Sequence, residues 1–438
     1  MDIPTQTAFD GGTPAQPSPP ARPVSRRRTV IGTGIGNAVE WYDWMIYATF
    51  APFFASQLFN NQDPASAVLS TLAIFAVGFL ARPLGGFVFG WLGDRVGRKY
   101  SMTLAVGMSS LGSLLVGITP TYAAVGAFAS VMLLVARLIQ GLAHGGELPS
   151  SQTYLSEMAP REHRGFWSTL IYVSGTLGNL VGTMLGVVLV MVLSKEDMLA
   201  WGWRVPFLIG AALGLYALVM RSRMKETDVF EHESAAEKRE PMWPQIVRHR
   251  KQAMQVIGMT IGGTVVYYTW GVLAPTYAST SLGMDRGAAL WAGAAANIVF
   301  LAALLLWGKV SDKIGRKPVL WISMGGAALM HFPMTWLLRD SPWQLFVSMS
   351  VMLVFIAASA AILPAVYSEM FPTNIRTVGV GVPYSIAVAI FGGTAPYLNS
   401  WLTGSFGPIA FGLYALVLLL ISIAVIFTIP ETKGKDLR

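Results

Sequence analysis

"GWLGDRVGRK" occupies residues 90 to 99, and "GKVSDKIGRK" returns at 308 to 317, an offset of 218. A second pair, "SEMAPREHR" at 156 to 164 and "SEMFPTNIR" at 368 to 376, is offset by 212. Two independent motifs that agree on nearly one register divide the chain into two related halves. Parallel repeats of this kind build a binding site at the interface between them.

The sequence around the motifs sets the scale of each half. The chain has 438 residues, 53% of them hydrophobic and 12% charged. Its apolar residues come in runs of twenty or more instead of a 3.6-residue stripe. Such a run spans a bilayer, because a hydrocarbon core of about 30 Å takes roughly 20 helical residues. Twelve runs qualify, from 30–58 at one end to 406–429 at the other. The expected protein is all-α and membrane-embedded, with six helices in each half. It divides into a polar, proline-rich tail at 1–28, a first half at 29–222, a linker at 223–252, a second half at 253–430 and a tail at 431–438. No segment reads as a cleaved signal peptide.

A net charge of +8 invites a nucleic-acid reading, which the placement of the charges removes. With the N-terminus inside, 25 of the 31 Lys and Arg fall on the cytoplasmic side. This is the positive-inside pattern, and it predicts both termini in the cytoplasm. Outside fall Lys195, Arg286 and Arg339; within spans lie Arg82, Arg137 and Arg204. Arg204, in "WGWRVPF", reads as an interfacial anchor. The chain has no cysteine, and its five histidines show no metal-ligand spacing. There is no phosphate-binding G-x-x-x-x-G-K-[ST] loop. A thiol enzyme, a metalloenzyme and a nucleotide-driven pump are excluded together, and no cofactor is expected.

"GWLGDRVGRK" resembles the G-x-x-x-D-[RK]-x-G-R-[RK] signature of the major facilitator superfamily, and Glu157 to Arg164 and Glu369 to Arg376 resemble its E-x6-R pairs. Within it, "GNAVEWYDW", "FLARPLGG", "ARLIQGLAHGGE" and "YSEMFPTNIR" are similar to the metabolite:proton symporter group. That resemblance implies the major facilitator fold and proton-coupled transport of a small organic solute. The group includes permeases for 2-oxoglutarate, shikimate and citrate, and the proline and glycine betaine transporter. The expected partners are a small-molecule substrate, protons and the bilayer, and the protein is expected to work as a monomer.

Asp94 with Arg95 and Arg98, and Asp312 with Arg316, are read as a conformational latch, because basic loops alone do not explain a repeated Asp and repeated glycines. Glu157 with Arg164, and Glu369 with Arg376, are expected to extend it. Deeper in the bilayer, Glu40, Asp43, Arg82 and Arg137 fall near the midplane, where an ionisable group marks a pathway for ions or substrate. Arg137, Gln140, His144 and Glu147 share one helix face. His144 reads either as a titrating group or as a hydrogen-bonded structural one. Aromatics accompany these charges: Trp41, Tyr42, Trp44 and Tyr47, then Tyr267, Tyr268 and Trp270, then Tyr384 and Tyr397.

The expected substrate site is Arg82, Arg137, Gln140, Trp44, Tyr267 and Tyr268. Two arginines favour a mono- or dicarboxylate such as 2-oxoglutarate, since a guanidinium binds a carboxylate bidentately. The alternative is an osmolyte such as proline or betaine, held by aromatics through cation-π attraction. Some osmolyte transporters of the resembled group carry a long C-terminal coiled-coil extension, and since this sequence stops at "PETKGKDLR" the resemblance implies the organic acid. Glu40 and Asp43, three residues apart on one helix, are expected to couple protons, with Asp43 titrating and Glu40 pairing an arginine, or the reverse.

Overall fold

The computed structural model describes residues 26–59, 64–231, 242–407 and 409–437. Most of the expected N-terminal tail and residues 232–241 of the linker lie outside the described residues.

The twelve expected spans appear as twelve long helical segments: α1 (Arg26–Leu58), α2 (Pro64–Arg95), α3 (Arg98–Ile118), α4 (Phe128–Met158), α5 (Arg164–Val192), α6 (Arg204–Ser222), α7 (Arg250–Ser281), α8 (Arg286–Ile314), α9 (Arg316–Leu337), α10 (Pro342–Met370), α11 (376–406) and α12 (Ala410–Thr428). Among the described residues, nine helices are long and apolar enough by themselves to cross a membrane. The helical state follows from the solvent, since a segment in hydrocarbon must satisfy its own backbone N–H and C=O groups. Two spans are interrupted by wide π-turns, α7 at Tyr268–Leu273 and α11 at Val388–Gly392. Such turns shift the side chains that follow and recur at functional sites.

The turns between α2 and α3 and between α8 and α9 use the repeated motif directly. Gly97 has φ 136° and Gly315 has φ 106°, conformations that a side chain disfavours, so both copies need glycine there. The same motif opens with Gly90 and Gly308, which bring the halves together. A Cβ on Gly90 would sit 2.9 Å from Val378 of α11, and one on Gly308 would sit 2.4 Å from Thr169 of α5. The halves thus close along α2 against α11 and α5 against α8, on the side that carries the repeated motifs.

Residues 431–437 are not a free tail. Thr432 donates to Glu369 at 2.6 Å, and the Lys435 and Leu437 carbonyls accept from Arg164 and Arg376 at 2.9 and 3.1 Å. Arg204, expected as an interfacial anchor, has defined partners in the protein. Its guanidinium donates to the carbonyls of Gly117 and Thr119 at 3.0 and 2.5 Å, satisfying acceptors left over at the end of α3.

Candidate functional site

Between the halves lies a cavity of about 170 Å³, many times the roughly 10–15 Å³ that one water needs. Trp41 and Trp44 of α1, Phe79 and Arg82 of α2, His144 of α4 and Tyr172 of α5 line it from the first half. Tyr267 and Tyr268 of α7, Ser359 of α10 and Tyr384 of α11 line it from the second. Among the described residues, Arg82 is the one Lys or Arg on the wall, and no Asp or Glu lines it.

Arg82 sits there because α2 and α4 touch backbone to backbone. A Cβ on Gly145 would lie 2.1 Å from the Arg82 carbonyl, and one on Gly141 would lie 2.2 Å from that of Gly78. Pro83 follows Arg82 inside α2 and removes the N–H that would bond to Phe79. The Arg82 guanidinium lies 4.1 Å over Trp44 and 3.9 Å over Phe79, and its Nε has no acceptor among the described residues. Held by two ring faces, it presents its edge to the cavity with Tyr268 beside it.

Of the expected substrate residues, Arg82, Trp44, Tyr267 and Tyr268 line the cavity. Arg137 and Gln140 do not: Arg137 is clamped between Trp44 and Tyr47 at 4.2 and 4.0 Å and donates to Gln140 at 2.8 Å, one layer behind the wall. Gln140 in turn donates to Ser113 of α3 at 2.9 Å. Arg137→Lys is therefore expected to lower thermal stability by about 1–2 kcal/mol, the worth of desolvated cation-π contact. It should weaken substrate binding less than Arg82→Lys, and paired melting and binding measurements check both.

Nor do Glu40 and Asp43 share a face. Asp43 points away from the cavity into α3, where its Oδ2 accepts from Ser109 at 3.1 Å and Ser113 lies alongside. A Cβ on Gly210 of α6 would lie 2.6 Å from its other oxygen. Glu40 turns towards α4, its Oε1 3.0 Å from His144 Nδ1. A separation of three residues on a straight helix turns side chains about 60° apart, enough to aim them at different neighbours. Tyr397 and Trp270 also leave the site, the first being 71% exposed and the second buried against His331.

On the motif side the charges form two matching clusters. Asp94 accepts from the backbone N–H groups of Thr377 and Val378, both at 3.0 Å, at the start of α11. Asp312 accepts from Gly165 and Phe166 at 2.8 and 2.9 Å, at the start of α5. Each motif aspartate thus caps a helix N-terminus of the other half, where the helix dipole favours an anion. The E-x6-R pairs do not close within their own repeats. Glu157 takes Arg376 at 2.6 Å and Arg98 at 3.3 Å, while Glu369 takes Arg164 at 3.0 Å and Arg316 at 3.6 Å. In each repeat the chain turns at Pro160 or Pro372, so the arginine at the start of the next helix faces the partner half. Arg95 is half-buried at the end of α2.

A further pair escaped the sequence reading. Glu226 accepts from the Lys99 N–H at 3.0 Å, and Glu431 accepts from Arg316 and Lys317 at 2.9 and 3.0 Å. The next residues, Thr227 and Thr432, donate to Glu157 and Glu369, both at 2.6 Å. The signal was the short repeat "KET" at 225–227 and "PET" at 430–432. Burial pushes the Glu226 carboxyl up. Burial acts on Glu431 too, but the N–H groups of Arg316, Lys433, Lys317 and Thr432 outweigh it and hold that carboxyl low.

A hydrogen bond to a charged group contributes about 1.5–3 kcal/mol. Asp94→Asn, which keeps one acceptor but not the charge, is expected to shift the closed-to-open balance of this seam roughly tenfold or more towards open. The chain has no cysteine, so one introduced pair of labelled cysteines across the seam reads the shift. Asp312→Asn should be milder, because the Asp312 side chain is 8% exposed where that of Asp94 is fully buried.

Comparisons with known proteins agree with this architecture. The "Sugar (and other) transporter" family matches residues 29–239 and 221–438. The alpha-ketoglutarate permease of Escherichia coli (strain K12) is 35% identical over 418 residues, covering 94% of this chain and 96% of that protein. A putative proline/betaine transporter of Staphylococcus haemolyticus (strain JCSC1435) is 32% identical over 419 residues, covering 94% and 89%. The solved structure of the proton:xylose symporter XylE bound to 6-bromo-6-deoxy-D-glucose superposes with a TM-score of 0.80 at 19% identity, covering 94% of this chain and 97% of that one.

Proposed function

The chain belongs to the sugar (and other) transporter family of the major facilitator superfamily, a multi-pass membrane transporter and not an enzyme, and from that premise we propose that it is a proton-coupled symporter importing a small organic acid by alternating access. Its relatives are bacterial, which supports a bacterial cell membrane as its location, and the motif side is taken as the cytoplasmic one.

The observation that carries the substrate class is Arg82. A cavity whose one Lys or Arg has an unused buried N–H, and which contains no acid, favours an anion. A carboxylate at Arg82 gains a charge-assisted bond and leaves the tyrosine hydroxyls of Tyr268 and Tyr384 for a second polar group. A mono- or dicarboxylate of the size of 2-oxoglutarate suits this arrangement. The aromatic lining supports a second reading, a zwitterionic osmolyte such as proline or betaine, with its carboxylate on Arg82 and its cationic nitrogen against the rings.

Asp43, turned to Ser109 of α3, and Glu40, turned to His144 of α4, are the proposed proton carriers. The motif clusters are the proposed gate, with Asp94, Arg98, Glu157 and Arg376 in one and Asp312, Arg316, Glu369 and Arg164 in the other. Uptake into proteoliposomes under an imposed pH gradient, with organic acids and betaines as competitors, tests the proposal. Competition by dicarboxylates supports the first reading, competition by betaine alone replaces it with the second, and no gradient-driven uptake rejects coupling.

A further inference from the structure

Behind His144, on the side of the cavity towards the repeated motifs, two carboxyls meet one arginine. Glu147 of α4 and Glu40 of α1 lie within side-chain hydrogen-bond reach of each other. Arg221 of α6 pairs with Glu147 Oε1, which also accepts from Ser151 at 2.9 Å. The rest of the Arg221 guanidinium is spent on carbonyls, those of Gly32, Thr33 and Met102 at 3.2, 3.0 and 2.8 Å. Gly36 in "GNAVEW" makes this possible, since a Cβ there would sit 2.2 Å from the guanidinium.

The donors do not cover the acceptors. Both oxygens of Glu40 and Oε2 of Glu147 have no hydrogen-bond partner of fixed protonation among the described residues. The other charged and titratable groups facing the pair are His144 on α4, Arg82 on α2 and Asp43 on the same helix as Glu40. The nearest cation, Arg221, balances one carboxylate and not two. Two carboxylates in contact at this depth do not both stay ionised, and a single proton between them removes the excess charge and gives the unmatched oxygens a donor.

We propose that Glu40 and Glu147 hold one proton between them while the motif-side seam is closed, and that His144 connects this carboxyl pair to the cavity. Glu147 is then a third acidic participant, separate from Asp43, which faces α3. The idea rests on the proton-coupled reading above, and it adds a definite route: from the cavity past His144, 3.0 Å from Glu40, to Glu147 and then to Arg221 at the motif-side end of α6. Arg221 ties that end to the backbones of α1 and α3, so movement of these helices changes how firmly Glu147 is held as an anion.

Infrared difference spectra of the purified protein between acid and alkaline pH test the pair without any substrate. The wild type is expected to show a protonated-carboxyl C=O band that both Glu40→Gln and Glu147→Gln remove and Asp43→Asn leaves. In proteoliposomes Glu147→Gln should lose pH-gradient-driven accumulation by at least tenfold while substrate counterflow persists. Glu40→Gln keeps the Arg221–Glu147 pair, so it decides the question if Glu147→Gln fails to fold. A band untouched by either Gln variant, or normal accumulation by Glu147→Gln, overturns the proposal. If the wild type moves no solute under a pH gradient, coupled transport fails as a reading, and the infrared band still supports or overturns the shared proton.

Discussion

Arg82→Ala is expected to abolish measurable substrate binding while leaving the protein folded. The guanidinium lies on the cavity wall between Trp44 and Phe79, and removing one partner of a buried charged pair costs about 2–5 kcal/mol, roughly 30-fold or more in affinity. The fold should tolerate the change, because Arg82 is held by the Trp44 and Phe79 rings and its buried Nε has no acceptor among the described residues. Arg82→Lys should fall between wild type and Ala, since it keeps the charge and loses the planar fork and much of the ring stacking. Calorimetric titration or binding measured by thermal shift with a panel of mono- and dicarboxylates reads the effect. Unchanged affinity in Arg82→Ala would remove the anion from the proposed function.

Asp43→Asn is expected to abolish uphill accumulation and preserve exchange. The side chain is buried among the hydroxyls of Ser109 and Ser113, which an amide can still engage, so the helix contacts should survive. What disappears is the capacity to bind and release a proton beside the layer that holds Arg137. Counterflow at equal pH on both sides should therefore continue, and accumulation under an imposed pH gradient should drop to background. A variant that still concentrates substrate with the wild-type pH dependence would assign Asp43 to structure and leave Glu40 as the remaining candidate of the original two.

The helices and the repeat were legible because both are imposed locally. Twenty apolar residues in hydrocarbon have to be helical, and two glycines of "GWLGDRVGRK" answer to the backbone: Gly90 for contact with Val378 and Gly97 for a positive φ. The buried charges were also easy to find, since a carboxylate or guanidinium inside an apolar run stands out. Their partners were not. Glu157 and Arg164 look like a pair seven residues apart, yet each binds across the seam, to Arg376 and Glu369. Arg82 and Arg137 look equivalent in sequence, yet one lines the cavity and the other lies between Trp44 and Tyr47 behind it.

The sequence by itself determined an all-helical chain of two related halves and singled out Glu40, Asp43, Arg82 and Arg137 as charges inside apolar runs, because these depend on hydropathy and spacing. Only the tertiary structure decided where each polar side chain points. A membrane helix is apolar on nearly every face, so no hydrophobic stripe fixes its rotation about its own axis. That rotation is set by close contacts such as Gly145 on the Arg82 carbonyl and Gly36 under Arg221. Those contacts turned Glu40 to His144 and Glu147 and turned Asp43, three residues on, to Ser109.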